Sequence, residues 1–229
     1  MEIAVELGYA AILMLWDFAA FFDSIELPTA LEKGAKAGVP MTVLTLAAQM
    51  HTAPRLLAIG QTTAPPVEKM GRSIVAGCTS CTSIARALLL DAVTPDEHTM
   101  PPTAVGQHVD DVCQMFVHRT PSEAITAAIA EGTRFAQQAL DIGCEISDKS
   151  TVISQPKWIA RAVARHFTDE LGIQLSAADD AEDLGVQTTA GRRRITKGMA
   201  NRQQKASKRA GRVGIMANKN KQKFSSNSI

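Results

Sequence analysis

The sequence predicts an α+β fold in which helices pack on one face of a mainly antiparallel sheet. Three stretches carry that prediction. Ala10 to Trp16 (AAILMLW) is a continuous apolar run ending at Asp17, as expected for a buried central strand whose end meets a polar site. Pro102 to Val109 and Val112 to Val117 flank Asp110-Asp111 in the pattern of a tight β-hairpin. Pro121 to Ile142 has helical apolar spacing through Ile125, Ile129, Phe135 and Leu140.

The remaining elements follow in order. After the first strand, Phe18 to Ile25 turns away, and Pro28 suits the first position of a helix over Pro28 to Ala37. Gly38-Val39 separates it from a second helix, Pro40 to Leu57. Gly60 to Gly71 reads as a loop, and Gly77 to Cys81 is a small, polar stretch that leads into an amphipathic helix over Thr82 to Ala92. A loop from Pro95 to Pro102 enters the Asp-Asp hairpin. Ser122 is available near the start of the following helix, and Gly143 ends it. Cys144 to Ser154 reads as one strand, Lys157 to Leu171 as a helix, and Ile173 to Leu175 and Leu184 to Thr188 as short strands. From Gly191 the chain becomes basic, with a helix expected from Thr196 to Met216 and a disordered end from Asn218 to Ile229.

Composition divides the chain further. The net charge of +1 conceals a split, because all 23 acidic residues lie at or before Asp183. Residues 1–190 hold 12 basic residues against those 23, a balance of −11, and the stretch from Gly191 onward carries +12. An acidic folded body with a basic arm suits a polyanionic partner. Four cysteines fit a reducing compartment better than a disulfide scaffold. The apolar run from Ile3 to Phe22 is interrupted by Glu6 and Asp17 and lacks a basic start, against a signal peptide or membrane span. The expectation is a soluble intracellular protein with no membrane partner. Because the chain opens almost at once on a core-like segment, a preceding segment is expected.

The chemistry-bearing residues are Asp17, at the end of the predicted central strand, and Asp110-Asp111, at the predicted hairpin turn. Asp favours turns for its own reasons, so the dipeptide alone also reads as turn chemistry. If the strands are neighbours, three carboxylates converge at one edge of the sheet. Such a cluster suits two Mg²⁺ ions about 3.5–4 Å apart in phosphoryl transfer. Cys78-x-x-Cys81 invites a zinc or redox reading, but a structural zinc site needs four ligands. Cys113 and Cys144 are isolated, so the pair reads as small inert residues.

These residues stand in a longer pattern. Asp17-Phe18-Ala19-Ala20-Phe21-Phe22-Asp23-Ser24-Ile25 resembles the first palm motif of reverse transcriptases of the non-LTR retroelement and group II intron type. His108-Val109-Asp110-Asp111 resembles their aromatic-x-Asp-Asp motif, and Ala76-Gly77-Cys78-Thr79-Ser80-Cys81 occupies the place of their Gln-Gly-x-x-x-Ser segment. Ile146 to Ile153, with Lys149, is similar to the family's lysine-bearing strand. Asp183-Leu184-Gly185-Val186 looks like the Tyr-Leu-Gly-Val stretch of the primer grip. The motifs keep the family's order from Asp17 to Val186.

The resemblance implies a polymerase palm, with a ferredoxin-like antiparallel sheet, over residues 1–190. A short basic thumb-like helical segment over 191–217 and a disordered tail over 218–229 would follow. It implies RNA-directed DNA polymerase activity, adding deoxynucleotides to a primer on an RNA template with two Mg²⁺ ions, Mn²⁺ being the alternative. Asp17 and Asp110 would bind metal, Asp111 would complete or support the site, and Lys149 would protonate or neutralise pyrophosphate. Phe22 would be the aromatic gate against the sugar 2′-hydroxyl, with core packing as its other reading. Gly77 would let the backbone approach template or nucleotide closely. Arg192, Arg193, Arg194, Lys197 and Arg202 would contact nucleic-acid phosphates without reading sequence. The other reading of that basic run is nuclear targeting, and a nuclear location is expected.

Three positions depart from the family pattern: Ala76 replaces its glutamine, His108 its aromatic and Asp183 its primer-grip tyrosine. They point to a divergent branch or a decaying copy. No Lys or Arg precedes Asp17, so the basic fingers region of a full enzyme is expected from a longer protein or another chain. The alternative function is a catalytically silent fragment that binds RNA or DNA through its basic arm. A nucleotidyl cyclase on a similar palm is the third reading, against which the Gly77 segment and the Lys149 strand speak.

Overall fold

A computed structural model describes the chain except for residues 57, 67–71, 76–77, 97–99, 184–185, 190–202, 205–206 and 209–229. In chain order its elements begin with α1 (Glu2–Glu6), β1 (Ala10–Trp16), β2 (Phe18–Ala19), α2 (Phe21–Ser24), α3 (Leu27–Lys36) and α4 (Met41–Thr52). They continue with β3 (Ala58–Ile59), β4 (Thr62–Thr63), α5 (Cys81–Val93), β5 (Ala104–His108), β6 (Asp111–His118) and α6 (Pro121–Asp141). The last are β7 (Glu145–Ile146), β8 (Thr151–Ser154), α7 (Lys157–Leu171), β9 (Ser176–Ala178), β10 (Asp180–Asp183) and β11 (Val186–Thr189). The fold is mixed α+β, as predicted.

The main sheet has five strands in the order β5-β6-β1-β8-β9. β1 is its centre and runs antiparallel to both neighbours, β6 and β8; only β9 joins in parallel, beside β8. The apolar run of β1 is explained by this position, because a central strand meets packed side chains on both faces. Its side chains alternate. Ile12, Met14 and Trp16 join the large core with Phe116 of β6, Val152 of β8, Phe135 of α6 and Phe167 of α7. Leu13 and Leu15 face the other way, with Ile153, Cys113 and Met115 in a small cluster.

The helix-covered face is closely fitted. Trp16 stacks against Phe135 at 5.0 Å between ring centroids and meets Phe167 edge-on at 5.7 Å. Within α6, a Cβ on Gly132 would stand 2.9 Å from Phe167 Cζ and 3.1 Å from Met14 Cε, so α6 lies against the sheet and α7 through a glycine. Arg134 of α6 donates to both carboxylate oxygens of buried Glu131 and to the carbonyl of Ala92 at the end of α5, tying the two helices together.

Several boundaries differ from the sequence expectation. The second long helix stops at Thr52 rather than Leu57, since Ala53 precedes Pro54 and takes an extended conformation (φ −62°, ψ 145°). Part of the expected loop after it is a small hairpin, β3 with β4, turning at Gly60 (φ +62°). Thr120, not Ser122, caps α6, in a reciprocal capping box with Glu123. The single strand expected over Cys144 to Ser154 is two strands, β7 paired with β2 and β8 paired with β1. The short strand expected at Ile173 to Leu175 lies instead at Ser176–Ala178. Of the helix expected over 196–216, only residues 203–204 and 207–208 are described, and these are helical. Among the described residues no helix is long and apolar enough to cross a membrane.

Candidate active site

Register decides where the acidic residues meet. Trp16 pairs with Val112 across β1 and β6, so Asp17 and Asp111 are the next residues at the same end of adjacent strands. Leu15 pairs with Thr151 across β1 and β8, and Lys149 lies in the turn just before β8, where the Asp17 carbonyl accepts the Ser147 N–H. The alternation of β6 sends Asp111 to the side of Cys113 and Met115, away from the helices. Asp17 directly follows β1, and Lys149 lies in the turn before β8. Residues 94 and 132 positions from Asp17 thereby reach one edge: 111 − 17 and 149 − 17.

Each acidic position has its own local cause. β5 and β6 form a hairpin in which His108 pairs with Asp111, leaving Val109-Asp110 as a two-residue turn. Val109 has φ +59° and, of the two, alone has positive φ, the pattern of a turn that normally takes glycine there. A β-branched residue in that conformation stores strain of about 1–3 kcal/mol. Gln107 Nε2 donates to the Val109 carbonyl at 3.1 Å and helps hold the turn. A Cβ on Gly106 would stand 2.7 Å from Cys113 Sγ on the paired strand, a contact that thiol rotation can relieve.

Asp17 is fixed by its backbone. Its N–H donates to Ser150 Oγ at 3.0 Å, and the same hydroxyl donates to the Asp17 carbonyl at 3.1 Å. The Ser147 N–H donates to that carbonyl at 2.8 Å, and the Lys149 N–H donates to Ser147 Oγ at 3.2 Å. The turn that carries Lys149 is thus bonded directly to Asp17, and it interrupts the strand expected over Cys144 to Ser154. Ser147 and Ser150 were not singled out by sequence; only their bracketing of Lys149 hints at the role. Beneath Asp17, buried Trp16 Nε1 donates to Gln114 Oε1 at 2.9 Å, linking β1 and β6 one residue inside the site.

Asp17, Asp110 and Asp111 are half-buried and Lys149 is exposed. Phe22, on α2, is also half-buried, with its ring 5.4 Å from that of Phe21 and packed against the large core. That packing agrees with the structural reading of Phe22. Gly77, Arg192, Arg193, Arg194, Lys197 and Arg202 lie outside the described residues.

The donor set at the sheet end is hard oxygen, which suits Mg²⁺ or Mn²⁺. Among the described residues no group of three His, Cys, Asp or Glu side chains is gathered to hold a metal ion by protein atoms alone. Mg²⁺ keeps several waters and takes one or two carboxylates together with substrate phosphates. Half-buried carboxylates at the ends of adjacent strands fit that requirement. The sequence matches no protein-family model and no curated protein.

Proposed function

We propose that this chain is the palm of an RNA-directed DNA polymerase, transferring deoxynucleotides to a primer 3′-hydroxyl on an RNA template. The observation that carries the reading is the strand register. Trp16 pairs with Val112, so Asp17 and Asp111 follow at the same end of adjacent strands, with Asp110 in the adjoining turn and Lys149 in a turn hydrogen-bonded to the Asp17 backbone. The motif order from Asp17 to Val186 supports the same reading.

Asp17 and Asp110 would hold two Mg²⁺ ions, with Asp111 completing or supporting the site. Bound there, the ions supply activation of the attacking hydroxyl and charge neutralisation at the leaving pyrophosphate. Lys149 holds a proton at Nζ beside the departing pyrophosphate. The serine turn keeps that lysine in step with Asp17. The open face leaves space for the primer end and the triphosphate, and positioning of both is a large part of the rate. The basic run from Arg192 to Arg202 would lie along the template–primer duplex and bind it by phosphate contacts.

Primer extension by the purified chain on an annealed RNA template, with Mg²⁺ and deoxynucleotides, tests the proposal. Extension should fall by about 10³-fold or more in Asp110→Asn, with salt-sensitive binding of the duplex retained. Absence of extension from the unaltered chain, with salt-sensitive RNA binding intact, would instead favour the silent nucleic-acid-binding fragment. Loss of binding along with extension in Asp110→Asn would contradict the division into an acidic body and a basic arm.

A further inference from the structure

Away from the sheet end, a second group of reactive side chains surrounds the start of α5. Cys78 and Cys81 are joined by a turn in which the Cys81 N–H donates to the Cys78 carbonyl at 3.2 Å. Such a turn keeps its end Cα atoms within about 7 Å, and disulfides span Cα separations of about 4.4–6.8 Å. Cys81 is the first residue of the 13-residue helix α5 and is 3% exposed, whereas Cys78 is half-buried and precedes it. Cys78 packs against the core cluster that contains Cys81.

The surroundings of Cys78 are polar in a directed way. His51, buried on α4, accepts the Val75 N–H at Nδ1 at 3.0 Å. Burial, and secondarily the Arg55 charge, pushes His51 below the usual histidine value of 6.5. With Nδ1 accepting, the ring proton is on Nε2, which faces Cys78 Sγ at 3.6 Å. Ser80 Oγ lies 3.5 Å from the same sulfur. Cys78 thus sits among polar side chains three residues before the N-terminus of α5, and helix N-termini are a setting in which cysteines react. Cys144 is the opposite case: buried, with its thiol pushed up to about 12.

We propose that Cys78 and Cys81 form a redox-active dithiol, Cys78 attacking and Cys81 resolving, whose substrate is a low-molecular-weight disulfide of the glutathione type. The Cys78 sulfur attacks one sulfur of the disulfide, forming a mixed disulfide and releasing one thiol. The Cys81 sulfur then attacks Cys78 Sγ, closing the Cys78–Cys81 bond and releasing the second thiol. Two protein thiols are oxidised, one external disulfide is reduced, and the two thiol protons leave on the released thiols. The dithiol stands on geometry separate from the sheet end and does not depend on the polymerase reading.

The test treats the native full-length chain with oxidised glutathione, quenches with acid, alkylates, and maps tryptic peptides by mass. The peptide from Ser73 to Arg86, which holds both cysteines, should be two hydrogens lighter and unalkylated, while Cys144 is fully alkylated. In Cys81→Ser the same peptide should stop at one glutathione on Cys78. A doubly alkylated wild-type peptide after oxidant would overturn the proposal. So would a wild-type peptide that keeps glutathione without closing, or a Cys78–Cys81 bond that forms only in urea.

Discussion

On one side of the central sheet, Ile12, Met14, Trp16, Phe116 and Val152 are all at most 2% exposed beneath α6 and α7. On the other side, among the described residues, Ala11, Leu13 and Ile153 are buried, with Leu15, Cys113 and Met115 half-covered. The same strands supply both faces, one residue out of phase. The covered face therefore carries most of the stability, since apolar burial contributes about 25 cal/mol per Å². At the end of the other face stands Asp111, with Asp17 just beyond β1 and Lys149 in the turn before β8.

The contrast sharpens into measurable differences. Phe135→Ala, on the covered face, should lower unfolding free energy in urea by about 3–5 kcal/mol, the usual cost of emptying a buried aromatic site. Met115→Ala, on the open face, should cost about 1 kcal/mol or less, because its side chain is already partly in water. Equal losses at the two positions would show that the faces are not packed so differently.

Two glycines probe the same contrast more finely. Gly132→Ala drives a methyl into fully buried Phe167 and Met14, which have nowhere to go. About 1–3 kcal/mol of overpacking should outweigh the gain of up to about 1 kcal/mol in helix propensity. Gly106→Ala meets only Cys113 Sγ, at 2.7 Å on the half-covered face. Rotation of that thiol should limit the loss to about 1 kcal/mol, and Gly106→Ala combined with Cys113→Ala should restore most of it. Thermal melts of the three variants read this directly. No recovery in the double variant would mean that the hairpin register, not the thiol, resists the methyl.

What the sequence announced, and what it hid, follows from the range of the forces involved. The apolar run of β1, the Asp-Asp hairpin and the helix α7 were legible because each is written in neighbouring residues. Lys157–Leu171 was read with its observed bounds, between Pro156 and Gly172. The turn from Ser147 to Ser150 was not legible. Its hydrogen bonds run to Asp17, more than a hundred positions away, and the local pattern of Cys144 to Ser154 is simply that of a strand. The pairing of His51 with Cys78 was hidden for the same reason, since it depends on how α4 packs beside the start of α5. The strain at Val109 runs against sequence expectation, because turn propensity would place glycine there.

The central proposal is that Asp17 and Asp110, although 93 positions (110 − 17) separate them, would share one cation site at the end of the sheet. Electron paramagnetic resonance of Mn²⁺, titrated with protein and a deoxynucleoside triphosphate, tests it most directly. Asp17→Asn and Asp110→Asn should each weaken the protein-bound Mn²⁺ signal by about tenfold or more, and the double variant should be little worse than either alone. Unchanged Mn²⁺ binding in both single variants would contradict the account.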